Sequence, residues 1–346
     1  MMTLEPQPPS RQQGVGFLIP LSLFILMAGC TSPLPEPYIS SSPTFASLPS
    51  STFTPFSPPS PTFTLSPTQT ASPTVTPIPS VEPVNYSVVR FAVIGDFGQA
   101  GKAEAQVAEL VKSWQPDFII TTGDNNYPHG SADTIDENIG QYYHEYIYPY
   151  LGAYGEGAEL NRFFPSLGNH DWGTQAALPY LEYFTLPGNE RYYDFVWGPV
   201  HLFALDSDSR EPDGVGKSST QADWLEGRLA TSTTTWKIVY MHYPPYSSAA
   251  HGSTGWMQWP YAEWGASVVL AGHDHVYERI IVDGFPYIVN GLGGSPYRYY
   301  FLSPIPGSQV RHNDSHGALL VEATSEMLLF SFITVDGVVV DSFSIP

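Results

Sequence analysis

The chain has 346 residues, of which 42% are hydrophobic, and this is enough for one large hydrophobic core or two smaller ones. Its net charge is −20, with only 13 Lys and Arg residues and no basic run, so it lacks the clustered positive charge that binds nucleic acid or lipid headgroups. We therefore expect no nucleic-acid partner. The single cysteine, Cys30, excludes a disulfide within the chain and a zinc site built from thiolates, and we expect no disulfide-linked partner.

Residues 1–30 have the pattern of an export signal. Arg11 precedes an apolar run over residues 15–28, which is shorter than the ~20 residues of a membrane-spanning helix and suits the apolar region of a signal peptide. The sequence Leu-Met-Ala-Gly at 26–29, directly before Cys30, resembles a bacterial lipobox, in which that cysteine becomes the lipidated first residue. The alternative is an ordinary buried cysteine at the end of a signal.

Residues 31–87 have the composition of a flexible linker. They contain 14 Pro and 23 Ser or Thr residues, with Glu36 and Glu82 as the only charged side chains. Such a segment cannot bury enough apolar surface to offset the chain entropy that folding costs. Together with a lipid on Cys30, it predicts an exported, cell-surface lipoprotein tethered to a bacterial membrane by a flexible stalk. The membrane would be contacted only through the lipid anchor.

From residue 88 onwards, apolar runs alternate with loops rich in Gly, Asp, Asn and His. The first run, residues 89–94, predicts a strand, and the apolar residues of 107–114 have the i, i+3, i+4, i+7 spacing of a helix. A second apolar run, residues 118–120, predicts another strand. These three elements predict a β-α-β unit, in which the two strands are parallel and the crossover is right-handed.

The remaining apolar runs predict a second series of elements. Residues 192–206 are expected to be a β-rich stretch, and further strands are expected over residues 236–241, 267–270, 285–290, 317–323 and 327–335. A tyrosine-rich helix is expected over residues 136–150. Thr220, with Asp223 three residues later, predicts the capped start of another helix.

Polar clusters directly follow five of these apolar runs. The candidate metal ligands share this position: Asp96, Asp124, Tyr127, Asn169, His242, His273 and His275. Carboxylate, amide and phenolate oxygens suit hard metal ions, whereas imidazole suits zinc and iron. In an extended segment, His273 and His275 would lie on one face. A single such cluster is usually structural, but five of them indicate one convergent site at the carboxyl ends of strands.

The order of these motifs carries a resemblance to a known family. The motifs are Asp-x-Gly at 96–98, Gly-Asp-x-x-Tyr at 123–127, Gly-Asn-His-Asp at 168–171, His242, and Gly-His-x-His at 272–275. They resemble those of the calcineurin-like metallophosphoesterases and, more narrowly, the purple acid phosphatases of the small tartrate-resistant type. The resemblance implies that residues 88–346 are a catalytic domain with a mixed α/β fold. That fold is a four-layer αββα sandwich of two mixed sheets flanked by helices, with a dimetal site at the carboxyl ends of strands.

The resemblance also implies a role for each candidate ligand. A ferric ion would be held by Asp96, Tyr127 and His275, a divalent iron, zinc or manganese ion by Asn169, His242 and His273, and Asp124 would bridge the two. His170 would contact the bound phosphate, or alternatively would only orient Asp124 or Asn169. His251 would protonate the leaving group, a role that suits imidazole, or alternatively is a solvated loop histidine.

The implied function is that of an acid phosphatase-like, metal-dependent phosphoric monoester hydrolase. A metal-bound hydroxide would attack the phosphorus of a small phosphorylated substrate. Three alternatives remain open. The same dimetal core could serve a phosphodiesterase or nucleotidase, the chain could be a surface-anchored binding protein without activity, or an iron pair could have a redox role.

The lipobox predicts the chemistry of the mature N-terminus. Mass spectrometry of the protein from bacterial membranes should find Cys30 as the first residue, carrying lipid. Cys30→Ser should move the protein from the membrane fraction to the soluble fraction, because the lipid on Cys30 is the only predicted membrane anchor. An unmodified residue 30, or a mature chain that starts elsewhere, would refute the prediction.

Overall fold

Two mixed β-sheets form the centre of the computed structural model, which describes residues 88–346. The predicted export signal, Cys30 and the predicted linker over residues 31–87 lie outside the described residues. The strands are β1 (Val89–Ile94), β2 (Phe118–Thr121), β3 (Phe163–Pro165), β4 (Tyr193–Trp197), β5 (Val200–Ala204), β6 (Trp236–Tyr240), β7 (Val268–Ala271), β8 (Tyr277–Val282), β9 (Phe285–Asn290), β10 (Ser308–His312), β11 (Gly317–Ala323), β12 (Leu328–Thr334) and β13 (Val339–Ile345). The first sheet has the order β13-β12-β11-β1-β2-β3, and the second has the order β10-β8-β9-β7-β6-β5-β4.

Helices connect the strands. They are α1 (Lys102–Ser113), α2 (Ala132–Ile135), α3 (Gln141–Tyr143), α4 (Leu178–Tyr183) and α5 (Thr220–Thr231). A π-helical turn, Asp136–Gly140, joins α2 to α3, and single 3₁₀ turns lie at His144–Tyr146, Asp171–Gly173, Gln175–Ala177 and Gly255–Met257. Among residues 88–346, no helix has both the length and the apolar character needed to cross a membrane.

Hydrophobic side chains from both sheets share the larger of two cores. Alternate residues of a strand point to opposite faces of its sheet. Leu202 of β5 therefore joins Phe91 and Phe118 of the first sheet in this core, where the two Phe rings stack with centroids 4.7 Å apart. Its neighbour Phe203 points the other way, into a second core with Leu225 of α5. The first crossover helix, α1, packs against β11. This arrangement confirms the predicted four-layer sandwich.

The parallel strands of each sheet determine where their ends lie. Strands β1, β2 and β3 run parallel to one another in the first sheet, and β5, β6 and β7 do so in the second. The carboxyl ends of each set therefore meet at one edge of their sheet. The loops that leave these edges contain all the candidate ligands.

Two predicted helix boundaries were wrong. The hydroxyl of Ser219 accepts a hydrogen bond from the Ala222 amide at 3.1 Å, so Ser219 is the N-cap and Thr220 is the first helical residue. The tyrosine-rich helical run begins at Ala132, earlier than predicted, and ends at Tyr146. Ile147 is already extended, and Pro149 disfavours helical backbone at Tyr148, so the helix does not resume there.

Asp341 links the two sheets. It lies on β13 of the first sheet, where it is only 7% exposed. Its carboxylate accepts hydrogen bonds from the Tyr277 hydroxyl at 2.9 Å and from Arg279 Nε and Nη2 at 2.7 and 3.1 Å, and both of these residues belong to β8 of the second sheet. Both donors depend on this single carboxylate.

Asp341→Ala should therefore lower the free energy of unfolding by about 3 kcal/mol, because it leaves a partly buried guanidinium and a buried hydroxyl without their acceptor. Urea denaturation measures the change. Glu326→Ala is the matched control, since it removes an exposed carboxylate from the β11–β12 turn and should change stability by less than about 0.5 kcal/mol. Equal denaturation midpoints for the two variants would contradict the role assigned to Asp341.

Candidate metal centre

The candidate ligands meet where parallel strands of the two sheets end. In the first sheet, Asp96 follows β1, Asp124 and Tyr127 follow β2, and Asn169 follows β3; in the second, His242 follows β6 and His273 and His275 follow β7. Asp96 and His242 are completely buried, and Asp124 is nearly so. Donor atoms of Asp96, Asp124 and His242 all lie within 4.8 Å of one another. The fold thus brings together residues that are up to 179 positions apart in sequence.

A first group of donor atoms surrounds the Tyr127 hydroxyl. This oxygen lies 3.0 Å from Asp124 Oδ2, 3.1 Å from His275 Nε2 and 3.5 Å from Asp96 Oδ1. His275 Nε2 is also 3.4 Å from Asp96 Oδ1. Two carboxylates, a phenol and an imidazole therefore share one small volume.

A second group surrounds His242 Nε2. This nitrogen lies 3.0 Å from Asn169 Oδ1, 3.2 Å from His273 Nδ1 and 3.5 Å from Asp124 Oδ1. Asp124 therefore presents one carboxylate oxygen to each group. That is the placement required of a carboxylate that bridges two metal ions.

The protonation of two histidines tests whether metal ions fit here. His242 Nδ1 lies 2.9 Å from the Thr122 carbonyl, and His275 Nδ1 lies 2.6 Å from the Tyr297 carbonyl. A carbonyl oxygen only accepts, so each Nδ1 carries a proton, and in the neutral imidazole each Nε2 presents a lone pair. In that form the lone pairs face the Asn169 carbonyl oxygen and the Asp96 carboxylate, and a metal ion between these atoms makes the contacts favourable, as a proton on Nε2 would. A histidine anchored by a backbone carbonyl is also the usual arrangement at metal sites, so the donor set fits two ions.

The charge states of two ligands follow from their surroundings. Burial, and then the neighbouring His242, lower the pKa of His273, so its imidazole is neutral, the form that binds metal ions. Burial, and then the Asp124 and Asp96 carboxylates, raise the pKa of the Tyr127 phenol. Tyr127 therefore becomes a phenolate only beside a strongly charged cation.

Asp171 holds the loops that carry two of the ligands. Its buried carboxylate accepts hydrogen bonds from the Gly168 amide at 2.8 Å and from the Asn125 backbone and side-chain amides at 3.1 and 2.8 Å. Burial and the charge of Asp124 raise the pKa of Asp171 to about 7, although these amides oppose the shift. The positions of Asp124 and Asn169 are thereby coupled. The only sequence signal for this role was the place of Asp171 at the end of the Gly-Asn-His-Asp motif.

His170 and His251 each contact a different part of the donor cluster. The His170 amide donates to Asp124 Oδ1 at 2.9 Å, its ring centroid lies 4.4 Å from that of Tyr127, and its Nε2 is 3.8 Å from Asp124 Oδ2. His251 is exposed, and its ring centroid lies 4.4 Å from that of His273. Each imidazole therefore contacts a candidate ligand, His170 the ring of Tyr127 and His251 the ring of His273.

The segment that contains His273 and His275 is not extended, contrary to the prediction. His273 has a φ of +70°, and the turn directs the Asp274 side chain away from both imidazoles. Its carboxylate accepts hydrogen bonds from Ser247 Oγ at 2.6 Å and from the His251 amide at 2.9 Å. Asp274 thus joins the segment of the two candidate ligands His273 and His275 to the loop that carries His251, a role for which the sequence contained no signal.

Comparisons with known proteins agree on one family. The model of the calcineurin-like phosphoesterase family matches residues 89–277. Tartrate-resistant acid phosphatase type 5 of Rattus norvegicus is 24% identical over 310 residues, covering 75% of this chain and 91% of the relative. Purple acid phosphatase 17 of Arabidopsis thaliana is 26% identical over 248 residues, covering 61% and 70%. The structure of purple acid phosphatase PPD1 from yellow lupin seeds has the same fold, with a TM-score of 0.60 at 20% identity over 75% of this chain and 53% of the lupin chain.

The shared position of Asp124 predicts the effect of its removal. Asp124→Ala should deprive both groups of donors of a ligand, so elemental analysis of the purified variant should find neither ion at full occupancy, against two per chain in the parent protein. Asp133→Ala removes an exposed carboxylate from α2 and should retain both ions. A folded Asp124→Ala protein with the metal content of the parent would show that Asp124 is not a bridge.

Proposed function

Because the chain belongs to the calcineurin-like phosphoesterase family, whose motifs it carries, we propose that it hydrolyses phosphate monoesters as an acid phosphatase-like enzyme. Membership of the family makes the chain a metal-dependent phosphoesterase. The preference for monoesters is supported by its similarity to tartrate-resistant and purple acid phosphatases. The observation that carries the proposal is the pair of donor groups that share Asp124.

The two donor groups differ in the ions they suit. The group with a phenol and a carboxylate, Asp96, Tyr127 and His275, favours a hard ferric ion, and the group with an amide and two imidazoles, Asn169, His242 and His273, favours divalent iron, zinc or manganese. Asp124 would bridge them. When bound, the ions would supply positive charge to the phosphate and lower the pKa of the attacking water.

His170 is placed to contact the phosphate. Its Nδ1 lies 2.5 Å from the Pro128 carbonyl, so this nitrogen carries a proton and donates to that carbonyl. The Asp124 carboxylate fixes the His170 backbone amide. The remaining ring nitrogen, Nε2, faces the donor cluster, and in the protonated imidazole it donates a hydrogen bond to a phosphate oxygen. That contact stabilises negative charge as it develops on phosphorus oxygens.

His251 is placed to protonate the leaving group. Its ring packs beside that of His273, and Asp274 holds its backbone amide. As a water oxygen bonds to phosphorus and the ester P–O bond breaks, the His251 imidazolium gives its proton to the departing oxygen. Imidazole is suited to this proton transfer near neutral pH.

We further propose that the enzyme acts outside the cell on small phosphorylated compounds. The export signal and lipobox predicted over residues 1–30 support an anchor through Cys30, and the composition of residues 31–87 supports a stalk between anchor and domain. The low content of basic residues argues against nucleic acid as a substrate or a binding partner. The membrane would be bound only through the lipid.

Replacement of His251 should affect esters according to their leaving groups. His251→Ala should lower kcat on alkyl phosphates about 10²- to 10⁴-fold, because an alkoxide leaves poorly without a proton. The loss on p-nitrophenyl phosphate should be much smaller, because p-nitrophenolate leaves without one. Steady-state kinetics with metal-loaded protein measures both losses.

The matched control for this experiment is His129→Ala, which removes an exposed histidine that this mechanism does not use. It should leave both rates unchanged. Equal losses on the two esters in His251→Ala would contradict the general-acid role. If the parent protein cleaves bis-p-nitrophenyl phosphate faster than the monoester, the chain is a phosphodiesterase and the proposed monoester preference is wrong.

A further inference from the structure

A cavity of about 360 Å³ opens beside the metal centre. Its walls include the two candidate site residues Tyr127 and His275, together with His170, Tyr297 and Tyr299. A volume in this range accommodates a small organic group. His170 lines the cavity. The organic group of a phosphate ester held at the metal centre can therefore extend into the cavity.

Tyr299 forms a rigid wall of this cavity. Its ring stacks on His275 with centroids 4.2 Å apart and an interplanar angle of 13°, and the edge contact with His251 has a centroid distance of 5.0 Å. The Tyr299 amide donates to the His275 carbonyl at 3.1 Å, and Asn313 Nδ2 donates to the Tyr299 carbonyl at 2.7 Å. A leaving oxygen within reach of His251 would therefore be next to the Tyr299 ring.

Tyr297 supplies a second aromatic surface. Its backbone carbonyl accepts the hydrogen bond from His275 Nδ1 at 2.6 Å, so the main chain is anchored to a candidate ligand. Its side chain nevertheless remains 70% exposed while lining the cavity. An exposed aromatic ring on an anchored backbone can stack on a planar ligand at little cost in entropy.

Apart from His170, which is assigned to the reacting phosphate, the lining of the cavity offers no positive charge to the rest of the substrate. None of its residues is Lys or Arg. Arg298, which separates the two tyrosines in sequence, is not part of the wall. Arg210, which touches the Asn169 carbonyl from outside, is paired with Asp208. A second phosphate or a carboxylate on the substrate would lose its hydration here without gaining a cation.

We propose that this cavity is a subsite for a planar, uncharged aromatic group, and that Tyr297 and Tyr299 determine the preference for phosphate monoesters that carry one. The inference rests on the proposed monoester hydrolysis and names its substrate class. The aromatic ring stacks against the tyrosines while its ester oxygen faces His251. Monoesters with further anionic groups bind poorly, because the wall offers aromatic faces in place of positive charge.

The test compares two esters on metal-loaded protein. One is phenyl phosphate, and the other is a fluorinated alkyl phosphate whose leaving alcohol is about as acidic as phenol, so that the two differ in aromaticity and not in leaving ability. Tyr297→Leu should lower kcat/KM on phenyl phosphate about 3- to 10-fold, the effect of one lost aromatic contact, and leave the alkyl ester unchanged. Tyr297→Phe, which keeps the ring, is the control and should retain both activities.

Two further comparisons separate stacking from a merely structural role. Tyr299→Leu should also lower the aryl-to-alkyl ratio of kcat/KM, whereas disturbance of His275 or His251 would lower both rates alike. In the parent protein, adding a carboxylate to the ring of phenyl phosphate should raise KM. Equal losses on both esters, an unchanged ratio in both Leu variants, or a lower KM for the carboxylated ester would overturn the proposal.

Failure of the proposed function is distinguishable from failure of the subsite. If the parent protein hydrolyses neither monoester, monoester hydrolysis is wrong, and calorimetry with the inert analogues phenylphosphonate and methylphosphonate then decides on the subsite. Tighter binding of phenylphosphonate that Tyr297→Leu abolishes supports the aromatic subsite. Equal affinity for the two analogues overturns it.

Discussion

The rest of the site depends on the close approach of donor atoms from the two sheets, as between His242 Nε2 and Asn169 Oδ1. His242 Nε2 belongs to the second sheet and Asn169 Oδ1 to the first, yet they lie 3.0 Å apart, and in the neutral imidazole with its proton on Nδ1 no proton lies between them. Such a contact is unfavourable without a cation. It persists because both side chains are attached to the ends of buried parallel strands, whose packing supplies the free energy that holds them in place.

The backbone at the ligands carries part of the same constraint. Asp96, Asp124 and His273 have φ values of +54°, +54° and +70°, in the left-handed region that costs a residue with a side chain of the order of 1 kcal/mol. The close approach of the loops also requires glycine next to them. A Cβ atom on Gly272 would lie 2.6 Å from Asp96 Oδ2, so a larger residue there would displace a candidate ligand.

The sequence predicted what depends on local pattern and missed what depends on contacts between distant loops. An apolar run followed by a polar cluster is enough to predict that Asp96 or His242 lies at the end of a strand, because this pattern is local. The β-rich stretch predicted over residues 192–206 is a hairpin, and the prediction did not place its turn at Gly198 between β4 and β5. Tyr299 stacks on His275, and Asp274 accepts a hydrogen bond from the His251 amide. Each contact joins segments over 20 residues apart that share no periodicity, so no sequence pattern predicts it.

Anomalous X-ray diffraction from crystals of the metal-loaded protein, recorded on both sides of the iron absorption edge, tests the central claim most directly. The account predicts two anomalous peaks about 3.5–4 Å apart, with the Asp124 carboxylate between them and the iron signal strongest at the peak beside Tyr127. A single peak, or two peaks with Asp124 in contact with only one of them, would contradict it.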